Sequence, residues 1–352
     1  MKVASTVSIA LGLLAIGAGV HLRAQVAVTS INYGDSTNYW NSYQGGISFR
    51  NESYTVDSVG TAAGDYQFNG PLAQDVYIRR NQSWWTGPNN TTLFYQVDSY
   101  DRVWGSAPST ASEVFTDGNL FTGLRDPFAN TGSSSSSQNT NIERIDFYFG
   151  DYVVQEGAGI VLFDLENFGN QGDAFRIAAF DGWDSSAAAP DSFANTGLLI
   201  GADSFGEALL SPTDNGSLEF ARATYDDGDD LTGYANNFTQ LGSDLNLVGI
   251  LIRFTDLGMQ VGDTIQGFSL MAADVNAGSA NDLVNWNNSS VYRTDTDRNL
   301  YGNVDFMGFG AQMANPIPEP STYGAVLMLT LLGVYGRRRW LLPRARALKR
   351  AA

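Results

Sequence analysis

Short apolar runs broken by Gly, Asn, Asp and Ser recur through the body of the chain, with a period close to two. Ile142 to Phe149 (IERIDFYF) puts Ile145, Phe147 and Phe149 on one side of an extended strand, with polar or charged residues between them. Gly150-Asp151 ends that run. Ile160 to Leu165 (IVLFDL) follows as a second strand, Asn167 to Asp173 (NFGNQGD) reads as a turn, and Ala174 to Phe180 (AFRIAAF) resumes. Leu218 to Tyr225, Leu247 to Phe254, Ile265 to Ala272 and Val304 to Phe309 have the same character. The intervals between runs are too short to hold a helix each time, which argues against a parallel βαβ sheet. The pattern predicts an all-β fold, an antiparallel β-sandwich of jelly-roll type.

The two ends depart from this pattern. Met1-Lys2 precedes an apolar run of small residues, Val3 to Val20, and Leu22-Arg23-Ala24 offers a small residue for cleavage; residues 1–24 read as a secretory signal peptide. The expected partners at that step are signal peptidase and the general secretion machinery. Near the other end, Thr322 to Gly336 (TYGAVLMLTLLGVYG) is uncharged and apolar, with Tyr323 and Tyr335 at its edges. It is shorter than the ~20 residues that span a bilayer core. Capping by Ser321 and snorkelling of the arginines that follow extend its reach, so a transmembrane helix is predicted over about 322–336. Between the ends lies one exported domain, 25–314, with a Ser-rich loop at 131–141 (TGSSSSSQNTN), and a proline-stiffened linker opens the C-terminal region 315–352.

Charge sharpens the division. All 37 acidic residues lie between Gln25 and Gly336, together with eleven arginines and no lysine, so this part carries −26. Such a body repels nucleic acid and anionic lipid, and no nucleic-acid partner is expected. Seven of the remaining basic residues crowd positions 337–352. Under the positive-inside rule the basic tail stays in the cytoplasm and the acidic body lies outside. There is no cysteine, and His21 falls within or beside the signal segment. Disulfides, Cys or His nucleophile pairs and His/Cys zinc sites are therefore excluded from the mature chain.

Pro318-Glu319-Pro320, followed at once by Ser321, one apolar segment and the basic cluster Arg337, Arg338 and Arg339, resembles the PEP-CTERM sorting signal of Gram-negative bacteria. The resemblance covers Ile317 to about Arg339. It implies recognition by an exosortase, a multi-spanning membrane enzyme that cleaves near the motif. It also implies transient membrane anchoring and a final place at the cell surface or in an exopolysaccharide-rich biofilm matrix. Residue 317 is Ile where Val is frequent, and the tail runs on past Arg339 to Ala352.

Candidate chemistry in the body is confined to carboxylates and aromatics. Asp295, Asp297 and Asn299 have the alternating oxygen ligands of a calcium loop, but Leu300 and Phe306 stand where an EF-hand needs glycine and glutamate. Asp226, Asp227, Asp229 and Asp230 surround Gly228 and offer a second candidate Ca²⁺ site; no other cofactor is implied. Asp164 and Glu166, two apart on a strand, are the carboxylate pair a glycosidase would use. Trp40, Trp84, Trp85 and Trp286 are candidates for stacking on sugar rings. The expectation is a non-enzymatic exported surface or matrix protein. The alternative is a secreted carbohydrate-binding module or carboxylate-based glycoside hydrolase.

Overall fold

The computed structural model describes residues 25–42, 48–81, 91–96, 111–116, 120, 122–130, 141–166, 172–206, 209, 220–225, 239–240, 246–296, 304–307, 311–318, 328 and 330–332. The first strands are β1 (Gln25–Ser42), β2 (Ser48–Thr61), β3 (Gly64–Gln67), β4 (Asp75–Arg80), β5 (Thr91–Gln96) and β6 (Thr122–Arg125), with one short helix, α1 (Ala111–Thr116), before β6. The middle of the chain forms β7 (Ile142–Val153), β8 (Gly159–Glu166), β9 (Phe175–Asp184), β10 (Ala189–Phe193) and β11 (Leu198–Ile200). The remainder supplies β12 (Phe220–Tyr225), β13 (Thr239–Gln240), β14 (Asn246–Arg253), β15 (Thr264–Ala272), β16 (Phe306–Met307) and β17 (Met313–Pro316).

The fold is all-β, as the alternation predicts, and the strand pairings among the described residues are antiparallel. Its strands form two sheets. A six-stranded sheet runs β10-β9-β15-β7-β4, with β11 also on β9. An eleven-stranded sheet runs β13-β12-β5-β6-β16-β8-β14-β1-β2-β3-β17, and its last strand returns to pair with β8. Strands β8, β14, β1, β2, β3 and β17 thus close into a ring, which removes the exposed edges that an open sheet would leave.

Closure creates two cores from one pair of strands. Along β8, Ile160 and Leu162 point out of the ring, and Val248, Ile250 and Ile252 of β14 join them. They meet Ile145, Phe147, Ile177, Ala179, Phe268 and Leu270 of the six-stranded sheet, where Phe147 and Phe268 stack at 4.5 Å. The alternate residues Val161, Phe163 and Leu165 face into the ring with Leu247, Leu251, Val28, Val56, Val59, Tyr66 and Ala314. Because both faces of β8 and β14 are covered, their sequences read as continuous apolar runs rather than alternating ones. Gly249 is required here: a Cβ would lie 2.9 Å from the Phe163 ring and 3.0 Å from Val28 Cβ.

Two local findings differ from the sequence expectations. Gly150 does not end its strand. Its φ of 74° forms a bulge, and three residues, 149–151, face the single Gln266 before pairing resumes at Tyr152. The strand that contains Asn315 and Pro316 also runs two residues past the expected domain boundary at 314, so the linker starts later. Residues before 131 supply β1, β2 and β3, three of the six ring strands. Residues 1–24 and nearly all of 131–141 lie outside the described residues.

The outer face of the six-stranded sheet is covered in part. Residues 273–296 cross it, with Leu283 and Tyr292 buried completely. Beneath them Arg144 and Asp146, both 0% exposed, form an ion pair with Nε–Oδ1 at 2.5 Å and Nη2–Oδ2 at 3.0 Å. Arg79 donates to Asp146 Oδ2 at 2.7 Å and Ser269 Oγ donates to Oδ1 at 2.6 Å. Arg144 also donates to the Leu283 carbonyl, and Arg79 to that of Ala188. Burial alone would raise the Asp146 pKa, but the Arg144 and Arg79 guanidiniums and the Ser269 hydroxyl outweigh it and hold the carboxyl below the usual range.

Candidate functional site

The C-terminal segment leaves the body through the strand that closes the ring. β17 pairs with β8 at Met313–Ile160 and Ala314–Gly159, and with β3 at Asn315–Gln67 and Pro316–Tyr66. Met313 and Ala314 are fully buried, one in each core. Pro316 lacks an N–H and therefore suits the last position of a strand. Its ring lies against Gly157, where an added Cβ would come within 3.0 Å of Pro316 Cγ. The next residue is still tied down: Ile317 N donates to the Asp65 carbonyl at 2.7 Å. Ile317 and Pro318 then emerge into solvent. The extended, donor-poor sequence NPIP thus carries the chain from the barrel wall to its surface without an intervening flexible stretch.

Beyond this point Glu319, Pro320, Ser321, Arg337, Arg338 and Arg339 lie outside the described residues. Met328 and residues 330–332 are helical, with Met328, Leu331 and Leu332 exposed by 54–62%. Among the described residues no helix is long and apolar enough to cross a membrane.

The body's candidate residues are placed as follows. Asp164 sits on β8 between the two sheets, 0% exposed, and both of its carboxylate oxygens accept backbone N–H groups, from Asp305 and Asp173, each at 2.7 Å. Asp305 Oδ1 in turn accepts the Asp126 N–H at 2.9 Å. Sequence reasoning singled out Asp164 but missed Asp126, Asp173 and Asp305, which belong to three distant segments; nothing in their local patterns marks them. Glu166 ends the same strand, opposite Asn246. Asp295 is exposed and ion-paired with Arg293 at 3.1 Å. Asp226, Asp227, Asp229, Asp230, Asp297 and Asn299 lie outside the described residues. Among those described, no group of three or more acidic or histidine side chains is arranged to hold a metal. Trp40 lies on β1 opposite Arg50 in a long β1–β2 hairpin. Trp84 and Trp85 lie outside the described residues. Trp286 is half-buried against the core, with the Arg79 and Arg144 guanidiniums 5.1 and 5.2 Å from its ring centre, so a sugar would have to compete with these contacts.

The buried acids set the pH response. Burial pushes the Asp164 carboxyl up to about 8 and Asp305 well above the carboxylate range, against the backbone N–H groups that oppose the shift. A carboxyl raised in the folded state is protonated there at pH values where the unfolded chain has released its proton. Stability therefore falls as pH rises from the ordinary carboxylate range towards about 8. Urea unfolding between pH 5 and 8.5 is expected to show a decline on the order of a few kcal/mol. Asp305→Asn keeps an acceptor for the Asp126 N–H and removes one titration, so it should flatten the slope; an unchanged slope would assign it to general charge repulsion.

No curated protein and no solved structure matches the chain. One family model does match, and it falls on the segment that leaves the ring. Residues 316–339 carry the PEP-CTERM protein-sorting motif, which implies export and processing by an exosortase, a membrane enzyme.

Proposed function

We propose that the protein is a structural or adhesive component of the cell surface or of an exopolysaccharide-based extracellular matrix, delivered through its C-terminal sorting tail. A signal peptide over residues 1–24 starts export, and the apolar segment 322–336 holds the chain in the inner membrane until an exosortase acts near Pro318-Glu319-Pro320. The observation that carries this reading is the position of the motif. It begins at the last residue of the ring-closing strand, so every body strand lies upstream of the processing point. Cleavage at or after Glu319 leaves all of them in place.

A non-catalytic body is favoured by the use made of Asp164. A glycosidase needs a carboxylate that reaches a sugar, whereas this one is enclosed between sheets and bonded to two backbone amides. A calcium role for Asp295 would require it to exchange Arg293 for the cation. Mass spectrometry of the mature protein from its own host tests the sorting reading. The expected product begins near Gln25 and ends near Glu319-Pro320. Matrix-located chains that retain residues past Arg339 would overturn it. Replacing Pro318, Glu319 and Pro320 by alanine should leave the protein in the membrane fraction.

A further inference from the structure

The strand ends that surround the tail's exit form a face of the body with its own composition. β8 starts at Gly159, beside Ala314 of β17 and Arg253 of β14. The turn that leads into β8 is bonded to the turn that precedes β15: Val154 N donates to Asp263 O at 2.8 Å and Gly262 N to Val154 O at 2.9 Å. The β2–β3 turn comes to the same end, since Ile317 is held by Asp65. Five large apolar side chains upstream of 319 are exposed among the described residues, and three of them are here: Val153 (55%), Val261 (58%) and Ile317 (38%). Ala62, Ala63, Gly258 and Gly262 fill in between as exposed small residues on the same turns.

The chain's own covalent geometry dictates what this face meets. From Pro318 to Thr322, where the apolar segment starts, there are four residues, or about 14 Å at full extension. We propose that the end of the body formed by Val153, Val261 and Ile317 rests on the membrane surface while the tail is attached. This rests on the reading of 322–336 as a membrane segment. The three side chains are too few to hold a free body at a bilayer, and the exposed Asp65 and Glu156 on the same turns oppose anionic lipid. The short tether removes that difficulty, because it makes contact with the surface an intramolecular event. Docking also orients the body. β1 starts at this end, where Gln25 pairs with Ile252, and runs 18 residues away from it. The far end of the β1–β2 hairpin, which carries Trp40, is then held away from the bilayer.

The absence of cysteine permits a direct test. Single substitutions Val153→Cys, Val261→Cys, Asn276→Cys and Leu331→Cys are labelled with an environment-sensitive fluorophore. The full chain is then reconstituted in phosphatidylethanolamine–phosphatidylglycerol vesicles with and without nitroxide-bearing acyl chains. Asn276 is exposed beyond the far end of β15, about 26 Å of strand from Thr264, and serves as the distal reference. The nitroxide lipid should quench the labels at 331, 153 and 261 and leave that at 276 bright. Quenching at 331 with 153 and 261 as bright as 276 overturns the docking proposal alone. A label at 331 that stays bright removes the membrane-segment reading, and the docking proposal with it.

Discussion

Asp146→Ala is expected to lower the unfolding free energy by about 3–5 kcal/mol, measured by urea unfolding with tryptophan fluorescence. The reason is the state it leaves behind. Arg144 has no exposed surface, and its guanidinium cannot lose its proton, so without Asp146 a full positive charge stays enclosed beneath residues 273–296. Arg79, 11% exposed at its side chain, has a path to water; Arg144 has none. Adding Arg144→Met to the Asp146→Ala chain should recover a large part of the loss, because the enclosed charge is then gone as well. A single-substitution loss below about 1 kcal/mol would mean that water reaches Arg144. The pH dependence has the opposite sign to that of Asp164. Asp146 titrates low in the folded state, so its contribution is complete above the ordinary carboxylate range and is lost as pH falls through its depressed folded value.

The second large effect concerns the C-terminal boundary of the body. A chain ending at Pro318 should keep the cooperative thermal unfolding and near-UV circular dichroism of the longer protein. One ending at Gly310 should lose both. The eight residues between those ends supply Ala311, Met313 and Ala314 to the cores, each 0% exposed. They also accept backbone N–H groups from Gly70 at 3.1 Å and Ala73 at 2.8 Å, and Met313 donates to the Pro71 carbonyl at 3.1 Å. Removing Met313 alone by truncation to alanine would cost about 2–5 kcal/mol. Losing the strand also opens the ring between β3 and β8 and exposes two edges. Such a sum is comparable with the whole stability of a typical domain. A Gly310-terminated chain that melts cooperatively at an unchanged temperature would show that β17 is dispensable, and that processing upstream of the motif is tolerated.

Strand legibility in the sequence followed burial on both faces. β8 and β14 could be read because a strand enclosed on both faces is almost wholly apolar, and β7 because Ile145, Phe147 and Phe149 alternate with polar positions. The first strands could not be read this way, and bulges are the reason. Val56 and Val59 both face the ring interior although they are three apart, because the register shifts between Asn32–Ser58 and Tyr33–Val56 and leaves Asp57 unpaired. A period-two search discards such a pair. β17 was illegible for a related reason: MANP contains one large apolar residue and a proline, and only its position between β3 and β8 makes it a strand.

Among the candidate sites, the sorting motif was the most legible, since an address that is read by another protein is contained in contiguous sequence. Asp146 was the least. In IERIDFYF it occupies a position that alternation assigns to solvent, and the residues that enclose it, Leu283 and Tyr292, lie more than 130 positions away. The sequence offers Asp164 only as half of a candidate carboxylate pair with Glu166; in the fold its partners are the backbone amides of Asp173 and Asp305.

The sequence by itself determined the β class, the acidic charge of the body, the exclusion of cysteine chemistry and the address at the C-terminus. These depend on composition, on local periodicity or on a linear motif, and none needs a distant residue to be defined. The tertiary structure alone decided that the large sheet closes on itself, that Arg144 and Asp146 are enclosed and that the sorting tail leaves from the strand that completes the ring. Each of those is a meeting of segments far apart in the chain. Burial and charge pairing are properties of such meetings, and local sequence carries no record of them.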